Sequence, residues 1–154
     1  MQKITTFLTY VDQADAATKL YTSLFKDSAI LNTTYYAEGA HLPVGSVMTV
    51  EFELAGQRYV AMNGGPHFTF TDGISLAVSC NSQAEIDELW NKLTANGGQP
   101  GQCGWLKDPF GVSWQITPAN LGQLLRSDDP ARAKSKIAAL MKMRKIEISA
   151  LEQA

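Results

Sequence analysis

The chain has 154 residues, 45% hydrophobic and 18% charged, with a formal net charge of −2. This balance supports one folded domain of ordinary size with a sizeable core and excludes a disordered chain. There is no basic cluster of the kind nucleic-acid binders carry, no apolar run of transmembrane length and no signal-peptide layout, so the reading is a soluble, cytoplasmic protein with neither a nucleic-acid nor a membrane partner.

Residues 3–11 alternate and are rich in Thr, Phe and Tyr, which predicts a strand. Asp12 is a candidate N-cap for a helix over 13–25, where Ala16, Ala17, Leu20, Tyr21 and Leu24 recur at helical spacing. A second strand is expected over 29–36, then a loop containing His41. Residues 46–54 and 57–63 flank Ala55-Gly56 as a hairpin. A two-residue turn there pairs Glu53 with Arg58, Phe52 with Tyr59 and Glu51 with Val60. Val50, Phe52, Tyr59 and Ala61 then share an apolar face, and Glu51, Glu53 and Arg58 point the other way.

Asn63-Gly64-Gly65-Pro66 closes this first half, and residues 66–72 form an extended connector holding His67, Phe68 and Phe70. A strand is expected from about 74 to 80. Ser82-Gln83-Ala84-Glu85 reads as a capping box for a helix with Ile86, Leu89, Trp90 and Leu93 on one face. Asp108-Pro109-Phe110-Gly111 has the residues of a type I turn between two alternating stretches. Closing Asp108 on Gly111 pairs Trp105 with Trp114, puts both tryptophans on one face and turns Gln115 to the other. The two cysteines, Cys80 and Cys103, make no disulfide framework and are expected as reduced thiols in or near the core.

The halves look alike. A shift of 69 residues superimposes Leu20 on Leu89, Tyr21 on Trp90 and Leu24 on Leu93. The pattern is two βαβββ modules, about 1–65 and 73–118, within a single domain: an α+β fold whose curved mixed sheet carries helices outside and a cleft inside. A helical tail over 119–154 follows. Thr117 is a candidate cap for a short helix, and Asp128-Asp129-Pro130 opens another with an apolar stripe of Ile137, Leu140 and Met141. Ile146-Glu147-Ile148 breaks the helical period, and Ser149 opens a second capping box.

Asn63-Gly64-Gly65-Pro66, Ile86-Asp87-Glu88-Leu89-Trp90 and the run from Cys103 to Ile116 resemble the PhnB-like, 3-demethylubiquinone-9 3-methyltransferase-like branch of the vicinal oxygen chelate superfamily. Glyoxalase I and the bleomycin-resistance proteins belong to that superfamily. The resemblance implies paired βαβββ modules and a homodimer. The chain has no Gly-rich strand-to-helix loop of the S-adenosylmethionine type, so the methyltransferase label does not describe its chemistry.

In metal-binding members of the superfamily, four ligands project into the cleft. Carried over, those positions fall at Thr5, Val60, Gly73 or Ile74, and Gln115. Such a set does not suit a divalent metal, so neither metal nor other cofactor is expected. The candidate site is Glu51, Thr5, Thr9, Val60, Met62 and Gln115 on the cleft face, with His67 and Trp105 at its rim. Glu51 is either a general base or hydrogen-bond anchor, or a solvated strand carboxylate. Gln115 either orients a ligand carbonyl or bridges strands. Two functions remain open: a metal-independent small-molecule binding module, and an enzyme acting on a small organic substrate by acid/base or metal chemistry.

Overall fold

The structure, a computed structural model, describes residues 2–154. It divides into two compact units, Met1–Phe70 and Thr71–Ala154. No helix among the described residues is long and apolar enough to cross a membrane.

The first unit runs β1 (Thr6–Tyr10), α1 (Ala14–Leu24), β2 (Ala29–Tyr35), β3 (Val47–Leu54) and β4 (Gln57–Asn63). The sheet order is β1-β4-β3-β2, with β1 parallel to β4 and the other pairs antiparallel. The β3–β4 register is the one expected from the two-residue turn: Glu53 faces Arg58, Phe52 faces Tyr59 and Glu51 faces Val60. Ala55 and Gly56 both have positive φ, 47° and 83°, the backbone of the hairpin turn that matches strand twist. One sheet face is core. Val50, Phe52 and Ala61 are fully buried with Ala17 and Tyr21 of α1, and the Tyr21 and Phe52 rings lie 6.3 Å apart.

Asp12 does not cap α1. The Ala14 N–H instead donates to Asn63 Oδ1 at 2.9 Å, while Asn63 Nδ2 donates to the Val47 carbonyl. The end of β4 thus satisfies the helix N-terminus, a long-range cap that local spacing does not reveal.

The second unit repeats the plan with β5 (Leu76–Cys80), α2 (Gln83–Thr94), β6 (Gln99–Pro100), β7 (Trp105–Lys107) and β8 (Ser113–Pro118) in the order β5-β8-β7-β6. Again the first and last strands are parallel. The Ser82 hydroxyl accepts from the Glu85 N–H and the Glu85 carboxylate accepts from Asn81 N–H, so the box forms one residue wider than its usual geometry. Ile86, Leu89, Trp90 and Leu93 are buried as expected.

The β7–β8 hairpin corrects the expected pairing. Gly111 N–H donates to the Asp108 carbonyl at 3.0 Å, but Asp108 N–H donates to the Val112 carbonyl at 2.9 Å. Gly111, at φ 93°, is an extra bulge residue. The register therefore moves by one: Leu106 faces Trp114, and Trp105 faces Gln115. The tryptophans lie on opposite faces, with Trp114 1% exposed and Trp105 37% exposed.

The tail is α3 (Leu121–Leu124), α4 (Pro130–Met141) and α5 (Ile148–Gln153). Thr117 lies within β8, and Asn120 precedes α3. Asp129 caps α4 through the Ala131 N–H, with Pro130 in the first turn. The expected stripe on α4 is not buried: Ile137 is 46% and Met141 64% exposed, and the buried residue is Lys136, whose Nζ donates to the Leu151 carbonyl at 2.6 Å. Ser149 is already inside α5, which follows Glu147. The Cys103 and Gly104 N–H groups donate to the Met143 and Arg144 carbonyls, and Ile146 is fully buried. Residues 143–148 are thus a strap across their own unit.

Candidate functional site

Strand parity and register build the face of the first sheet that α1 leaves open. Phe7, Val60, Glu51 and Asn32 form one row across β1, β4, β3 and β2. Arg58 and Glu53 lie in the row on one side, with Thr5 just before β1. On the other side lie Thr9, Met62, Thr49 and Thr34, where the two threonine hydroxyls of β2 and β3 are 2.6 Å apart. Leu31 falls at the register shift between Ile30 and Asn32 and joins this surface.

A hollow of about 640 Å³ opens there, lined by Thr5, Phe7, Leu31, Glu51, Glu53, Arg58 and Val60 among others. Thr5, Glu51 and Val60 are thus brought together as expected, whereas Thr9 and Met62 sit on the same face outside the hollow. Glu51 is exposed, and no ion pair to it is formed among the described residues. Arg58 Nε stands 3.9 Å from Glu53 Oε2, a long and solvent-screened pair. On the opposite face, burial pushes the Tyr59 phenol upward. Phe7 and Leu31 were missed in the sequence. Phe7 follows from the same parity that selects Thr5 and Thr9, whereas the Leu31 bulge has no local signal.

Asn63-Gly64-Gly65-Pro66 braces one end of this face. The Gly64 and Gly65 N–H groups donate to the Tyr10 and Val11 carbonyls. A Cβ on Gly64 would lie 2.6 Å from the Phe68 ring and 2.7 Å from the Thr9 methyl, so only glycine fits. His67, just beyond, is exposed.

In the second unit, Trp105 and Gln115 are cross-strand neighbours on the face away from α2. Gln115 Nε2 donates to Ser75 Oγ at 2.9 Å. Beside them a smaller hollow of about 260 Å³ includes Trp105, Asp72, Lys107 and Ser113, with Lys107 Nζ 3.0 Å from Asp72.

The register also refines the comparison of modules. Thr6 faces Tyr59 as Leu76 faces Trp114, so Thr5 corresponds to Ser75, and neither Gly73 nor Ile74 takes that place. The link from β5 to α2 is one residue shorter than that from β1 to α1, so a shift that fits the helices misplaces the strands. The positions to which the resemblance points are therefore Thr5 and Val60 in the first unit and Ser75 and Gln115 in the second. They offer two hydroxyls, one amide and one hydrocarbon, with Ser75 and Gln115 bonded to each other. This donor set does not fit a divalent metal, which wants imidazole, thiolate or carboxylate. No group of three or more His, Cys, Asp or Glu among the described residues could hold one elsewhere.

The family model described as 3-demethylubiquinone-9 3-methyltransferase matches residues 2–117. The solved structure of the PhnB protein from Bacillus cereus is 38% identical, with a TM-score of 0.70 over 77% of this chain and 100% of that one. The chain belongs to the PhnB-like branch of the vicinal oxygen chelate superfamily. Protein PA1353 from Pseudomonas aeruginosa shares the fold at 18% identity, with a TM-score of 0.63 over 77% of this chain and 98% of that one. A glyoxalase/bleomycin resistance protein from Albidiferax ferrireducens is 16% identical with a TM-score of 0.47, covering 75% and 97% respectively. No curated protein matches the chain significantly. The PhnB-like fold carries the two βαβββ modules, and the helical tail lies beyond the matched residues.

Proposed function

We propose that this PhnB-like protein binds a small organic molecule on the open faces of its sheets and does so without a metal. The single observation that carries the reading is the first sheet's open face. A ligand-sized hollow lies there, at positions where a metal-dependent relative would place its ligands, and it is furnished with Thr5 and Val60 instead. Phe7, Val60 and Leu31 supply apolar floor, Glu51 an accessible acceptor, and Thr5 and Thr9 hydroxyls. Gln115 spends its amide N–H on Ser75, which leaves its carbonyl oxygen as an acceptor beside Trp105. Binding is favoured over catalysis because Glu51 is accessible as an anchor, with no ion pair to it among the described residues, and Glu53, the other carboxylate of the hollow, leans on Arg58.

Purified protein is expected to carry no stoichiometric Zn, Ni, Mn or Fe, and EDTA is expected to leave its melting temperature unchanged. A tight equimolar metal with a lower melting temperature in EDTA would contradict this.

We also infer a homodimer. The family resemblance supports it, as does the exposed stripe of Ile137 and Met141 on α4, an apolar surface that a partner would cover. Sedimentation across a hundredfold dilution should show the dimer, and a strictly monomeric chain would remove it.

A further inference from the structure

Resting on the binding reading above, we propose that the hollow on the first sheet selects an organic cation: an ammonium group carried on a short apolar or aromatic body. Among the described residues, the charges in its lining are two carboxylates, Glu51 and Glu53, and one guanidinium, Arg58. Arg58 leans toward Glu53 at 3.9 Å, while no ion pair to Glu51 is formed among the described residues. The unmatched charge is therefore negative, and it stands in the middle of the face.

The apolar part of the site lies along the same row. Phe7 is 56% exposed and Leu31 44% exposed, on either side of Glu51 and Val60. Phe7 and Glu51 are two strands apart, which is about 10 Å at ordinary strand spacing. An aromatic amine with a short arm spans that distance, with its ring against Phe7 and Val60 and its ammonium on the Glu51 carboxylate. An anion would meet only Arg58, already shared with Glu53, and would be repelled by Glu51.

The test titrates the full, isotope-labelled chain with phenethylammonium, phenethyl alcohol and phenylacetate, and follows amide shifts. Phenethylammonium is expected to move Phe7, Leu31, Glu51 and Val60 and to bind about two- to fivefold more tightly than the alcohol, the size of one solvent-accessible charge contact. Glu51→Gln, at an exposed position, is expected to keep the wild-type melting temperature and to bring the ammonium down to the alcohol. Equal or tighter binding of the alcohol or phenylacetate would overturn the cation proposal while leaving small-molecule binding intact. So would an ammonium preference that survives in Glu51→Gln. If none of the three probes moves this face, the cation proposal fails. If Glu51→Lys also lowers the sedimenting mass, the occupant of the face is a second copy of the chain.

Discussion

Asp108 is the residue on which the second unit's hairpin turns. It is 2% exposed, and its carboxylate accepts from the Phe110 and Val112 N–H groups and from Trp114 Nε1 at 2.9 Å. A carboxylate is acceptor-only, which suits a position facing several donors. Asp108→Asn keeps the shape but turns an N–H₂ toward one of those donors. It should cost about 1–3 kcal/mol, the range for an unsatisfied buried polar group, read as a lower urea midpoint. An Asn variant as stable as the wild type would show that the indole contact is dispensable. The turn itself was legible in Asp108-Pro109-Phe110-Gly111. Its bulge was not, because whether Gly111 ends the turn or adds a residue depends on the Asp108–Val112 bond across the ladder. That single residue decides which face Trp105 occupies, and it puts Trp105 beside Gln115. Gly104 next door is also constrained, since at φ 87° a Cβ there would lie 2.8 Å from the Ile116 carbonyl oxygen and 2.9 Å from Ile146.

Among the elements, the strap over 143–148 is the part least readable in sequence. Ile146-Glu147-Ile148 alternates like a strand, but its hydrogen-bond partner is the Gln83 side chain. Gln83 Nε2 donates to the Ile146 carbonyl, and Gln83 Oε1 accepts from the Ile148 N–H. Lys145 Nζ lies 2.8 Å from Asp87 Oδ1 and 3.4 Å from Glu147. The helices themselves were legible, and the buried face of α2 follows from periodicity alone, but α1 buries Ala14, Ala17, Thr18 and Tyr21, with Ala16 exposed and Leu20 and Leu24 half-buried. The strap was not legible, because a side-chain amide can imitate a strand partner only once the fold has brought it there.

Hydrogen bonds from Lys145 and then Gln83 hold Asp87 below its ordinary 3.8, and the bond to Asp87 holds Lys145 above its ordinary 10.5. The depressed Asp87 contributes stability above 3.8 that is lost as pH falls through its folded value. The raised Lys145 contributes below 10.5 and loses it as pH rises through its folded value. Both groups are partly exposed, so each contribution is modest and screened by salt. Asp87→Asn should therefore shallow the acid limb of a stability–pH curve below pH 3.8, the ordinary value of that carboxyl. An unchanged acid limb would mean that the Lys145 contact does not persist in solution.

At the scale of the whole molecule, the duplication was visible in the repeated order of strand, helix and hairpin, and the two β-ladders repeat the same parallel closure. The candidate site was half visible. Parity placed Glu51, Val60 and Thr5 on one face, but the Ser75–Gln115 bond needed the true register. The central claim, metal-free binding on the first sheet's open face, is tested most directly by a fragment screen on the labelled chain in EDTA, read as amide shifts. The expected result is a set of fragments whose shifts gather on Thr5, Phe7, Glu51 and Val60. Shifts at those residues that appear only after a divalent metal is added back would contradict it.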